Sequence, residues 1–171
     1  MRAVDGAARV RMVQAIRLLI LTGCRVGEVL SLQWRYIDFA TRIILLPDSK
    51  TGEKIVYLSD AALDVLRAVI PLEGSRYVFP GRHGRSHLVR MGHLWLRIRR
   101  EAGIEDLRLH DLRHGFASVG VGMGESLPMV GQLLGHTQAQ TTARYAHLAT
   151  SPMLDAANRI ANRISQDLQS V

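Results

Sequence analysis

The stretch from Arg108 to His147, RLHDLRHGFASVGVGMGESLPMVGQLLGHTQAQTTARYAH, constrains the fold more than any other part of the chain. Leu109, Leu112, Phe116 and Val119 recur at helical spacing, and Gly120, Gly122 and Gly124 fray the end of that helix. Ser126 is placed to cap a second, short helix with Pro128 in its first turn and Met129, Val130 and Leu133 facing inward, and Gly135 stops it. Thr137 caps a third helix, Gln138 to His147, which carries Tyr145. His110 and Arg113, three apart, share a face roughly opposite the Leu112–Phe116 stripe.

The rest of the chain reads as a mostly helical domain with one small sheet inserted. Residues 8–21 predict a helix with Met12, Ile16 and Leu19 inward, Val13 and Ile20 beside them, and Gly23 as its stop. Gly27 to Leu32 predicts a second, short helix with Val26, Val29 and Leu30 inward. Arg25 stands in the turn between the two, where Glu28 is placed to orient it. Ile43–Leu46 and Ile55–Leu58 predict an antiparallel hairpin around the turn DSKTGE, with Lys50 at or near the tip. Ser59 or Asp60 caps a helix running to Val69, ahead of Pro71, and Tyr77–Phe79 predicts a third strand. Ser86 is expected to cap the next helix, with Leu88, Met91, Trp95, Ile98 and Ala102 inward and Gly103 at its end. Pro152 to Leu168 predicts an amphipathic tail helix, with Met153, Ala157, Ile160, Ile164 and Leu168 on one face.

Composition narrows the function. The 171 residues fit one domain, and the 47% apolar and 22% charged fractions are those of a globular protein. No apolar run approaches the ~20 residues of a membrane span, and the N-terminus lacks a signal-peptide core, so the chain is expected in the cytoplasm, off the membrane. The single cysteine, Cys24, excludes an internal disulfide and a cysteine zinc site. A net charge of +7 favours a polyanionic partner. Arg85, Arg90, Arg97, Arg99 and Arg100 flank the Trp95 stripe as a basic face, with Glu101 the acidic residue among them.

Six residues read together as chemistry on a phosphodiester. The transition state spreads charge over the non-bridging oxygens, and planar guanidinium groups, here Arg25 and Arg113, meet two such oxygens at once. Tyr145 supplies a nucleophile, a phenol set among cations. Lys50 is placed to protonate the departing sugar oxygen. His110 and His136 donate hydrogen bonds to the phosphate or shuttle the tyrosine proton. Each residue alone has an ordinary reading: a helix tyrosine usually packs, and a turn lysine is usually solvated. His110 and His114 are four apart, but no third ligand is spaced for zinc and Arg113 opposes a cation.

TGCRVGE, the lysine of SKTGE, HDLRH and LLGHTQAQTTARYAH, in that order, resemble the catalytic domain of the tyrosine recombinases, also called phage integrases, from about Val10 to His147. The tyrosine falls nine residues beyond the LGH histidine, as in that family. The resemblance implies that Arg25, Lys50, His110, Arg113 and His136 are the activating set and Tyr145 the nucleophile. It implies a 3′-phosphotyrosyl DNA intermediate, strand exchange in a tetramer on double-stranded DNA, and neither metal nor ATP. Off DNA a monomer or weak oligomer is expected. Arg85, Arg90, Arg97, Arg99, Arg100 and Arg144 are the candidate DNA contacts, and His147 is a secondary one. Residues 1–171 then form a single catalytic domain, with 1–150 the core and 151–171 a tail helix able to dock on a neighbouring subunit. The family's N-terminal core-binding domain is expected to be absent. Gly115 departs from the pattern, standing where a threonine is common. The rival readings are a non-catalytic or truncated DNA-binding module and DNA relaxation of the type IB topoisomerase kind.

Overall fold

A computed structural model describes residues 2–49, 52–82, 84–136, 140–143, 145–146, 157, 160–162 and 164. The first helix, α1 (Arg2–Thr22), buries Ala15, Ile16, Leu18 and Leu19, a stripe at helical spacing. Val13 and Ile20, expected beside that stripe, point outward instead, because at about 100° per residue they fall off its edges. Gly23 ends the helix in the left-handed region, φ +62°. A short helix, α2 (Val26–Leu30), follows, then a single 3-10 turn at Trp34–Tyr36.

The sheet has three antiparallel strands in the order β1 (Ile37–Asp38), β2 (Ile43–Ser49) and β3 (Gly52–Tyr57). The third strand is thus β1, and the expected strand at Tyr77–Phe79 is not one. That segment makes only an isolated bridge, Gln33 to Tyr77, and buries Val78 and Phe79 as core plugs. In the hairpin, Ile44 pairs with Val56 and Leu46 with Lys54. Strand alternation puts Ile44, Leu46, Lys54 and Val56 on the inner face and Leu45, Ile55 and Tyr57 on the outer. Lys50, at the connection, lies outside the described residues.

Ser59 caps α3 (Asp60–Arg67), its hydroxyl accepting from the Ala62 amide at 3.3 Å. The helix ends two residues before the expected Val69. The next helix, α4 (Gly92–Ala102), starts six residues after Ser86, which was expected to cap it. The intervening chain is drawn into a bridge between Pro80 and His87, and the Leu88 amide donates to Phe79 O at 2.7 Å, so those amides cannot begin a helix. Trp95 is core, its indole N–H donating to Leu107 O at 3.0 Å, while Ala102 is exposed. Gly103 terminates α4 at φ +67°.

Two cores result. The larger joins α1, α2, the inner face of the sheet, α3, Val78–Phe79, Met91 and Trp95. The smaller holds Ala117 and Val121 of α5 (Asp111–Gly122), Val130 and Leu134 of α6 (Leu127–Leu134), and Tyr145. Helix α5 runs between them, Leu112 packing on the first and Phe116 on the second. Its buried face is Arg113, Ala117 and Val121, so Val119 points to solvent. That face also moves Arg113 inward, away from exposed His110. Ser126 caps α6 and Gly135 ends it, but Met129 faces outward and Leu134 takes the core position. Of the expected helix Gln138 to His147, the described part is α7 (Gln140–Ala143). Tyr145 stands in a turn just after it, its amide donating to Thr142 O at 3.0 Å. Thr137 and most of the predicted tail helix lie outside the described residues. Within that tail Ile160 and Ile164 are exposed.

Gly23 is the hinge of this packing. A Cβ there would lie 2.7–2.9 Å from Leu134 and Phe116, as well as on a left-handed backbone. Gly23→Ala is expected to cost about 2–4 kcal/mol, from left-handed strain and overpacking together. Gly103→Ala, at a similar φ with open space around it, should cost only the strain. Urea denaturation of the two variants checks this, and equal losses would remove the packing contribution.

Candidate active site

Arg113 is the centre of the site. It is 4% exposed, and its guanidinium donates to Gly23 O at 2.7 Å and to Leu134 O at 2.8 Å. Those carbonyls belong to the C-terminal ends of α1 and α6, where unpaired carbonyls and the helix dipoles favour a cation. Burial pulls the Arg113 pKa down, as does the charge of Arg25, while Glu28, Cys24 and Tyr145 oppose the shift. Arg113 therefore lies within electrostatic reach of Arg25 and of Tyr145, both far from it in the chain.

Arg25 caps α2 in extended conformation. Its amide donates to one oxygen of Glu28 at 2.9 Å, and its guanidinium to the other at 2.8 Å. The expectation that Glu28 orients Arg25 is met. Glu28 has a second cation that the sequence reading did not assign: Lys54 Nζ lies 2.9 Å from its Oε2. Burial pushes the Glu28 carboxyl up, but the hydrogen bond from Lys54, the Arg25 amide and the charge of Lys54 outweigh it, and the net shift is downward. Lys54 is 5% exposed, lies 4.0 Å from Cys24 Sγ, and runs its stem beneath Gly135, where a Cβ would meet it at 2.9 Å. Strand parity carried the signal for Lys54, since it shares a face with Val56 and Leu58. Cys24 is buried as expected, and burial raises its thiol pKa.

The histidines divide. His110, exposed, precedes the first turn of α5 and stacks edge-on against His114 at 5.2 Å between centroids. His136, half-buried, follows Gly135, and its Nδ1 lies 2.8 Å from Thr142 Oγ1. His114, which the sequence reading considered only as a metal ligand, has its Nδ1 hydrogen-bonded to the Tyr145 hydroxyl. Tyr145 is 5% exposed and its ring belongs to the smaller core, so this tyrosine packs as well. A groove between β3 and the end of α6 is lined by Glu53, Lys54, Gln132, Gly135 and His136, among others.

Of the expected DNA contacts, Arg85, Arg90, Arg97 and Arg100 are exposed. Arg97 is paired with Glu101 at 2.6 Å, and half-buried Arg99 donates to Leu107 O at 3.1 Å. Arg144, His147 and Lys50 lie outside the described residues. Among the described residues no helix is long and apolar enough to cross a membrane.

The sequence profile of the phage integrase family matches residues 1–151. The chain is 33% identical over 162 residues to the tyrosine recombinase XerD of Rhizobium meliloti, covering 88% of this chain and 51% of that protein. It superposes on the catalytic domain of bacteriophage HP1 integrase with a TM-score of 0.61 at 26% identity, covering 85% of this chain and 79% of that one. With the XerH site-specific recombinase bound to difH substrate the TM-score is 0.68 at 22% identity, over 91% of this chain and 49% of that one, a likeness of fold. The chain spans about half the length of the curated relatives it matches. A profile match over most of the chain, on a mainly helical fold with a three-stranded sheet, places this protein in the phage integrase family, that of the tyrosine recombinases.

Proposed function

We propose that the chain is the catalytic domain of a site-specific DNA recombinase, working on double-stranded DNA in the cytoplasm. One observation carries the reading: the Arg113 guanidinium, hydrogen-bonded to the carbonyls that end α1 and α6, feels the charges of both Arg25 and Tyr145, which come from distant segments of the chain. The Tyr145 oxygen attacks the phosphorus, the two guanidinium groups and the His110 and His136 rings hold the non-bridging oxygens, and a 3′-phosphotyrosyl link forms as the 5′-oxygen leaves. Energy stays in that ester, so religation needs no further supply. The exposed arginines Arg85, Arg90, Arg97 and Arg100, with Arg99 and Arg144, contact the DNA backbone, and binding weakens with salt accordingly. Exchange takes place in a tetramer, residues 151–171 docking on a neighbouring subunit, while the free chain is a monomer or weak oligomer.

The test is covalent. Incubated with a pool of nicked duplexes of randomised sequence, the protein is expected to yield an adduct that survives denaturation, with the modified peptide containing Tyr145. An adduct mapping elsewhere, or none, would overturn the reading.

Lys50 is the general acid in this scheme. Its neighbours Glu53 and Lys54 share a groove with His136, which supports a position beside the phosphate. Lys50→Ala is expected to slow adduct formation ~10²–10⁴-fold. A 5′-bridging thiolate, which leaves without a proton, should restore much of that loss. Absence of rescue would move the role to another residue.

A further inference from the structure

The resemblance leaves one histidine of HDLRH without a task, and that histidine is the one in contact with the tyrosine. His114 Nδ1 is hydrogen-bonded to the Tyr145 hydroxyl, and the two rings lie 6.0 Å apart at 46°. The tyrosine is 5% exposed and His114 is half-buried, so the phenol faces protein more than solvent. Bulk water is poorly placed to take its proton. His136 has its Nδ1 on Thr142, and His110 meets the His114 ring edge-on. One turn back along α5, the Asp111 carboxylate, held by Arg108 at 2.9 Å, is close enough to feel the charge of His114.

We propose that His114 is the general base of this site, a catalytic residue that takes the phenolic proton from Tyr145 as the nucleophile attacks. The inference rests on the recombinase reading above. In the neutral ring with its proton on Nε2, the Nδ1 lone pair accepts from the phenol. As the tyrosine oxygen bonds to phosphorus, the O–H proton passes to Nδ1 and His114 becomes an imidazolium. The bond from phosphorus to the 5′-oxygen breaks, and that oxygen takes its proton from the general acid. In religation the 5′-hydroxyl attacks, its proton returns to the acid, and the imidazolium gives its proton back to the departing phenolate. The base is restored and no other reactant is needed.

The experiment measures adduct formation across pH on the same nicked pool, using His114→Ala, His114→Asn and the native protein. Each is made with tyrosine at position 145 and again with a trifluorotyrosine there, whose phenol is more acidic. Both His114 variants are expected to lose ~10²–10⁴-fold in rate, with the remaining rate climbing steadily toward alkaline pH. The fluorinated phenol, which needs less help to ionise, should recover most of that loss while changing the native rate little. Two variants of different size, each checked for fold by circular dichroism, separate the proton from the packing. A variant that cuts as fast as the native protein overturns the proposal. So does a loss in a folded variant that fluorination leaves untouched, since that marks a structural contact. If the native protein itself forms no adduct, it is the recombinase reading that falls, and this inference with it.

Discussion

Arg113→Ala is expected to cut adduct formation by ~10³–10⁵-fold, the range found where one arginine stabilises a phosphoryl transition state. It should also weaken the fold. The guanidinium is the donor to Gly23 O and Leu134 O, and each buried carbonyl left without a partner costs about 1–3 kcal/mol. Arg113→Lys keeps the charge but is a point donor on a flexible stem and cannot span both carbonyls and a phosphate together. Its rate should fall nearly as far while its stability falls less. Quenched adduct assays and urea titrations on both variants check the pair. Cleavage by folded Arg113→Ala within tenfold of the native rate would remove this guanidinium from the phosphate.

The second large effect is on stability. Glu28→Ala strips the partner from Lys54, which is 5% exposed, and from Arg25. Breaking a buried pair by removing one member costs about 3–5 kcal/mol, most of it the penalty of the stranded charge. Lys54→Met in the Glu28→Ala background should therefore recover part of the loss. A double variant whose loss is the simple sum of the two singles would show that the pair is not coupled. The same pair sets an acid limit. The Glu28 carboxyl is lower in the folded protein than its ordinary 4.5, so the folded state binds that proton less readily than the unfolded one. Its contribution is fully present above about 4.5 and is lost as pH falls through the lower folded value. Stability curves of the native protein and Glu28→Gln should converge on acidification.

Local punctuation was the most legible part of the sequence. Gly23, Gly103 and Gly135 end helices because each adopts a positive φ, and Ser59 and Ser126 begin them by accepting amide hydrogens. Those are interactions between near neighbours. The errors came where distant contacts decide. Which edge of an apolar stripe faces in depends on the partner, so Met129, read as inward, and Val13 and Ile20, read as beside an inward stripe, stand outside, as does Val119 of the α5 pattern. The chain after Ser86 gives its amides to Phe79 and its neighbourhood, and no local pattern announces that. Of the site, Arg25 with Glu28 was readable because residues three apart at the start of a short helix meet. Burial of Arg113 was not, since it depends on two helix ends, separated by more than a hundred residues, arriving at one guanidinium. His114 was legible as a neighbour of His110 on one face, but its contact with Tyr145 was not, because the tyrosine sits in a turn after α7 where a helix was expected.

The guanidinium that rivets α1 to α6 has a consequence for the cell. Until the two helix ends meet, Arg113 has no fixed position, and Arg25 and Tyr145 have nothing to converge upon. On the proposed reading, a nascent or partly melted copy in which those helix ends have not met is thus chemically blunt. In a denaturant series, strand-cutting should vanish no later than the near-ultraviolet signature of fixed aromatic rings.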